Sequence, residues 1–488
     1  MLFLAAITID KADPVLNLAA ASKSVFLRNL EQSLTLLYNP GHGCFYSLVK
    51  RFFTHNQVQQ LELSGAEQRW QQAVQQKEAT EIIQQCRKRY TDLQFEYEKQ
   101  RLQCWSALMA AAENLLQQSE GQTGPETLNL SARLLGSLFI TANGKKNKPL
   151  LLEFAYKPFY RAVLLLRLLD HLLAEKFFTE PQWQEWYQLR TPDAPDQCPY
   201  RQQLQLPLVM ACLLEHFGKL DSQAQNLLTD NGQQSADRVL NSEERAQFLT
   251  LCRLGSTTLL AQGLGDLPYR GSKREEREQH QQRHQQLLHK LQLFISTRPD
   301  SALGSLFKVS QAYSAIVLPG RGRYKYDTLP KAALLMRDAV QRGEYSGLIV
   351  DRLFRLVGIF PQGFGLVFIP LNDDGKPQPR YEFAIVNSFY PEKPDRPLCR
   401  IVSRSQELKN TTFNMSLSPE YNLYFKPARD RLKSNVPEQK LKELLQLLYK
   451  DAEAQYLRHL LPQCWEPDNF FSLGANQNLW NNAHLRLN

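Results

Sequence analysis

Between positions 79 and 97 the apolar residues Ala79, Ile83, Cys86, Tyr90, Leu93 and Tyr97 fall alternately four and three apart, in surroundings of glutamine and charged side chains. That spacing puts one apolar stripe on a helix, but the stripe lasts fewer than three heptads. It predicts a helical hairpin over about 65–118, packed on the rest of the protein, rather than a dimeric coiled coil. Ahead of it, residues 1–60 mix a short strand at 1–10 with apolar helices and a turn at Pro40, Gly41, His42 and Gly43. Residues 119–125, with two glycines and a proline in a polar run, are the clearest linker. Positions 126–355 carry helical periodicity throughout, interrupted at 191–196 and around 319–323.

Beyond Phe360 the period changes to two. Phe364, Leu366 and Phe368 alternate, Asn372, Asp373, Asp374 and Gly375 form a turn, and 381–386 and 400–402 have strand character. Residues 436–462 return to helix with Leu441, Leu444, Leu445, Leu447 and Leu448 on one face. The tail from Trp465 onward is expected to be extended and to dock on the body or on a partner. The predicted fold is therefore mainly α: a helical N-terminal domain at 1–125, a helical bundle at 126–360, a small antiparallel sheet or barrel at 361–425, and a helix with an extended tail at 426–488.

Composition narrows the class without naming it. A chain of 488 residues with 43% hydrophobic and 22% charged residues has ample core, which excludes wholesale disorder. The net charge of +9 is spread along the chain with no aromatic-interleaved basic motif, so a nucleic-acid partner is not expected. Eight cysteines make no C-x-x-C pair and no zinc spacing, which suits reduced thiols in a cytoplasmic protein. The first ten residues lack the basic flank and cleavage site of a signal peptide. The leucine run 164–173 is broken by Arg167, Asp170 and His171, so no membrane span is expected. Asp170 and His171 read as the polar stripe of a core helix. His280 and His284 are one helical turn apart and have metal-pair spacing, but their Glu- and Gln-rich setting favours a solvated helix face.

The stretch with most chemical content is Leu213, Leu214, Glu215, His216, Phe217, Gly218, Lys219. It resembles the H-D-x-G-K helix of the HD phosphohydrolases, with Glu215 and His216 where the metal-binding His-Asp pair stands and with Gly218 and Lys219 matching. Two further segments follow in the family's order. Residues 308–316 (KVSQAYSAI), with Arg321, Arg323 and Lys325 behind them, are similar to the V-A-D-x-Y-D helix and R-P-Y-K loop of the HD-GYP subfamily. Residues 356–363 (LVGIFPQG) resemble its L-G-I-Y-P-x-G segment. The resemblance covers about 150–370 and implies an HD-like helical bundle.

Its departures decide the functional reading. Gln311 and Ser314 occupy the two aspartate positions, residues 265–271 preserve little of the H-H-E-x-x-D-G-x-G-Y-P signature, and Tyr160 stands at the place of the early histidine. A divalent ion needs several nitrogen and carboxylate ligands converging from different helices. The resemblance therefore implies a catalytically inactive protein, without metal or cofactor, acting as a regulatory or interaction scaffold for a protein partner in the bacterial cytoplasm. A first alternative is a cyclic di-GMP receptor, since the family hydrolyses that diester and Lys219, Arg321, Arg323 and Lys325 could hold its phosphates. A second is a phosphodiesterase with an altered metal set such as Glu215, His216 and Asp221.

Overall fold

The structure, a computed structural model, describes residues 23–488 other than 42, 236–237, 267–268, 270, 299, 321–323, 406, 436–460, 482–483 and 487–488. It is mainly helical, with a small sheet in the C-terminal part. The strand expected at 1–10, and the leucine face expected at 441–448, lie outside the described residues.

Helix α1 (Val25–Leu37) opens where the Ser24 hydroxyl accepts the Leu27 N–H, and leads into α2 (Phe45–Gln75) and α3 (Thr80–Ser119). These last two form the hairpin. It begins well before position 65, because Phe45, Val49 and Phe52 are buried in the same core as Trp105, Leu108 and Leu115. At the base, Asn56 donates to the Gln262 side chain at 2.6 Å and Tyr97 to the Gln262 carbonyl at 2.9 Å. Towards the tip, Trp70 stacks on Tyr90 and Arg69 bridges Glu78 at 2.6 Å.

The body follows as α4 (Gly124–Asn143), α5 (Lys157–Ala174), α6 (Pro181–Gln188), α7 (Leu206–Phe217), α8 (Ser222–Thr229), α9 (Ser242–Thr258), α10 (Arg274–Ile295), α11 (Ala302–Val317), α12 (Ala332–Gln341) and α13 (Gly347–Val357). Both α5 and α7 are entered through a π turn, Leu152–Tyr156 and Arg201–Gln205, and both have a proline at their second residue, Pro158 and Pro207. A proline has no N–H to give the carbonyl four residues back and its ring crowds that carbonyl, so the wider turn accommodates it without breaking the helix. Helix α5 is buried on all sides except at Asp170 and its last residue, Ala174. Apolar residues around its whole circumference, with Arg161 and Arg167 held by acidic partners, allow it that central position.

The sheet has the order β7-β1-β2-β3-β6-β8, with β1 (Gly365–Phe368), β2 (Glu382–Val386), β3 (Leu398–Ile401), β6 (Phe413–Ser416), β7 (Cys464–Trp465) and β8 (His484–Arg486). The ribbon β4 (Ser403–Arg404) and β5 (Glu407–Leu408) pairs separately. All pairs are antiparallel except β6 with β8. The tail is thus not a separate extended segment: it supplies both edge strands. Asn387 donates to the Leu479 carbonyl and the buried Arg400 to that of Asn481, each fastening the tail to the sheet. Trp480 lies so close to α4 that a Cβ on Gly136 would come within 2.3 Å of its ring.

One buried apolar cluster runs from Leu27 to Trp480, without a break at 125, 360 or 425. The expected linker at 119–125 is a tight junction, in which Thr123 caps α4 and the Glu120 carboxylate takes Arg167, Arg190 and Gln205. Among the described residues no helix is long and apolar enough to cross a membrane.

Candidate functional site

Two residues of the HD-like segment, His216 and Lys219, converge on Glu153, which no sequence motif marks. Glu153 sits in the π turn before α5, which turns its carboxylate towards the end of α7. Lys157 reaches it at 2.5 Å from one turn on, and Lys219 bonds its other oxygen. The His216 ring donates through Nε2 to the Glu153 carbonyl. Burial alone would raise the Glu153 pKa, but Lys219 and Lys157 outweigh it and hold the carboxyl well below the usual range. One carboxylate thus binds two ammonium groups, so Lys219 is engaged within the protein rather than presented to a ligand.

Glu215 turns the other way. It accepts from Arg161 Nη2 at 2.6 Å, and the same nitrogen donates to the Phe307 carbonyl of α11 at 3.3 Å, so that α5, α7 and α11 are joined at one guanidinium. Gln311 and Ser314 lie further along α11, where the Ser314 hydroxyl donates to the Gln311 carbonyl of its own helix. Tyr160 and Tyr313 meet between α5 and α11, both fully buried. Asp221 caps α8 by accepting the Gln223 and Ala224 amides. Glu215, His216 and Asp221 therefore have different partners: Arg161, a backbone carbonyl and a helix terminus. Among the described residues no three His, Cys, Asp or Glu side chains are placed to hold a metal ion.

His216 is kept neutral. Burial is the main cause that pushes its pKa well below the ordinary value, helped by Lys219 and Arg161 and opposed by Glu153. The unfolded chain takes up a proton here as the pH falls through about 6.5, while the folded protein does not. Stability therefore declines below that pH, by up to about 1.4 kcal/mol per pH unit for one such group. His171, also lowered mainly by burial, adds the same sign. His216→Gln should remove one group's share of the slope between about pH 6.5 and 5, read from urea midpoints at stepped pH. An unchanged slope would mean that the buried imidazole is not what sets it.

Arg321 and Arg323 lie outside the described residues. Lys325 is exposed at the rim of a cleft of about 620 Å³ between the loop 324–327 and the sheet edge at 462–466. Lys219 is not among the lining residues of that cleft. Only the backbone hints at a link between the two places: a Cβ on Gly320, φ +127°, would come within 3.1 Å of Lys157 Nζ.

The histidine pair on α10 is a correction. His284 is buried, bonded to the Gly265 carbonyl at 3.0 Å and edge-on to Trp105, with His280 stacked over it. It secures α10 to the hairpin base instead of facing solvent. No family model, curated protein or solved structure matches the chain.

Proposed function

We propose that this protein is a non-enzymatic interaction scaffold, and that the α2–α3 hairpin is the element that docks a cytoplasmic protein partner. The observation that carries this reading is the hairpin's outer surface. The hydrogen bonds, ion pairs and ring contacts of residues 57–96 stay within the hairpin among the described residues. At 1.5 Å per residue that segment of each helix makes an arm roughly 25 Å long. Its seam is half-buried at Ile83, Cys86, Tyr90, Leu93 and Tyr97. Away from the seam, Leu61 is 73% exposed and Val58 and Phe95 each 56%. Val74 and Ile82 are exposed as well. Single exposed apolar residues are ordinary, but five on one narrow arm supply a surface that a helical partner could cover.

The inactive half of the proposal draws on the site. A water-activating ion would need Glu215 and His216 free of protein partners, and each is engaged. Their neighbours within the cluster are chiefly cations, which disfavour a second positive charge there.

The test has two arms. Purified protein given Mg²⁺, Mn²⁺ or Fe²⁺ should hydrolyse neither bis(p-nitrophenyl) phosphate nor cyclic di-GMP above the metal-only rate. Hydrolysis abolished by Glu215→Gln would overturn the inactive reading. A photo-crosslinking residue placed at 61 or 95 in cells should give one dominant adduct with a single protein, lost when the other position is changed to lysine. Adducts no different from those at the solvated position 88 would remove the arm as a docking element.

A further inference from the structure

The two helices of the arm meet solvent with different surfaces. Of the twelve exposed residues of α3 between 81 and 99, seven are charged. Helix α2 turns Phe52, Asn56, Ala66 and Ala73 inward. At about 100° per residue, the face opposite them carries Val58, Leu61, Gly65, Gln68, Gln72 and Gln75, alternately three and four apart and flanked by Gln57, Ser64 and Gln71. All nine are exposed and none is charged. An ordinary solvated surface would place roughly two or three charges among nine positions. A glutamine amide both donates and accepts, so a face rich in glutamine is complementary to a copy of itself without any countercharge. Its centre is open: a Cβ on Gly65 would meet nothing within 4 Å.

Charge selects the pairing. Between 54 and 75 the exposed acidic and basic residues of α2 are Glu62 and Arg69, seven positions apart on one edge of this face. When two copies of α2 lie antiparallel with Gly65 opposite the partner's Gln68, heptad geometry sets Leu61 against the partner's Gln72 and Val58 against the partner's Gln75. An open or aliphatic position then faces a long side chain at each layer. In that register Glu62 lies beside the partner's Arg69, and Arg69 beside the partner's Glu62. Sliding one copy by a heptad brings Glu62 against the partner's Glu62 in one direction, and Arg69 against the partner's Arg69 in the other. Like charges so placed oppose both alternatives, which leaves one register favoured. Arg69 donates to Glu78 through Nη1 and Nη2, and its remaining N–H groups are available to a second carboxylate.

We propose that this face of α2 is a homodimer interface, in which the arms of two copies lie antiparallel about a two-fold axis beside Gly65. The proposal rests on the reading of the arm as the docking element and names the partner of its α2 side as a second copy of this chain. A two-fold interface must be complementary to itself, and an uncharged face edged by one acid and one base of matching spacing meets that condition.

The experiment is sedimentation equilibrium of the purified full chain across the micromolar range. The mass should rise to twice that of the chain. Glu62→Arg and Arg69→Glu should each weaken the dimer at least about tenfold, because each sets like charges together on both sides of the axis. An equimolar mixture of the two variants should restore association, since every pair across the axis is then opposite in sign. Unchanged melting curves show that both variants fold. A monomer at every concentration, a dimer that both variants leave intact, or a mixture that fails to associate would overturn the proposal. The crosslink at position 61 tells its failure from that of the arm. A monomeric protein that captures a different protein there loses only the dimer, whereas adducts no different from those at position 88 remove both readings.

Discussion

Replacing Arg167 by methionine is expected to cost about 3–5 kcal/mol of stability, because it removes one member of a buried ion network and leaves the others uncompensated. The side chain of Arg167 is fully buried, on the central helix α5. It bonds Glu120 and lies 3.2 Å from Asp170, while Arg190 bonds Glu120 from the far side and the buried Tyr200 hydroxyl donates to Asp170. Two guanidinium groups face two carboxylates, so the network closes with no net charge. Burial works against the Arg167 charge, but Asp170 and Glu120 keep its pKa above the ordinary arginine value. Methionine fills a similar volume, which separates loss of charge from loss of packing. Urea denaturation of Arg167→Met should therefore show a much lower midpoint at an unchanged slope. Adding Glu120→Gln should return part of the loss, since one unpaired anion then disappears. Strictly additive losses would mean that the two residues are not coupled.

This network also explains why the junction at 119–125, linker-like in composition, is tightly held in the structure. Two glycines and a proline in a polar run have a linker's composition, but Glu120 is held there by residues 47 and 70 positions further along. Sequence periodicity reports on an element's own faces, and it carries no record of partners at such separations. Where structure is local, the reading succeeds. The seam from Ile83 to Tyr97 identified the hairpin because its partner is the adjacent helix. After Phe360 the inner strands β1 and β2 are buried at every position, so short apolar runs bounded by turn residues, rather than strict alternation, mark them. The edge strands β7 and β8, of two and three residues, are too short to alternate, and the tail they belong to read as extended coil. His284 failed for the converse reason: it is the one buried residue in the polar stretch 274–286, ahead of Leu291, Phe294 and Ile295, the other residues α10 buries.

The candidate site divides along the same line. Glu215, His216, Gly218 and Lys219 stand out by adjacency, but the structure gives them different partners: His216 and Lys219 meet Glu153, Glu215 meets Arg161 and Gly218 packs on α9. Glu153 lies 66 positions before Lys219 in an apolar segment that has no motif. The cleft residues are drawn from 146, 324–327, 381–383 and 462–466. None of those stretches is distinctive alone, and only Lys325 among them is a phosphate-binding candidate in the sequence.

Gly218 has a different reason for being glycine from any that phosphate chemistry supplies, and it gives the second large effect. Its backbone is ordinary right-handed helix, so conformational freedom is not at issue. What matters is contact with α9. A Cβ at Gly218 would lie 2.1 Å from both the Cys252 carbonyl oxygen and the Ser256 hydroxyl. One at Gly255 would lie 2.4 Å from the Gly218 carbonyl. The two glycines therefore let the end of α7 and helix α9 cross backbone to backbone. Gly255 and Ser256 are the buried residues of α9, so this crossing is the main hold that the body has on that helix. Backbone atoms cannot swing aside as a flexible side chain can, so Gly218→Ala must push α9 outward and strip the Ser256 hydroxyl of its contacts with the Leu214 and Glu215 carbonyls. The expected cost is about 3 kcal/mol, at the upper end for an added methyl group. Limited proteolysis should then cut within 242–258 faster than in the parent protein, because α9 loosens before the rest. Gly65→Ala is the matching control. It lies within α2 with nothing inside 4 Å of the added methyl, and should stabilise the protein by up to about 1 kcal/mol through helix propensity. If both substitutions raised the melting temperature, the close crossing at Gly218 would be refuted, and with it the packing explanation for the glycine before Lys219.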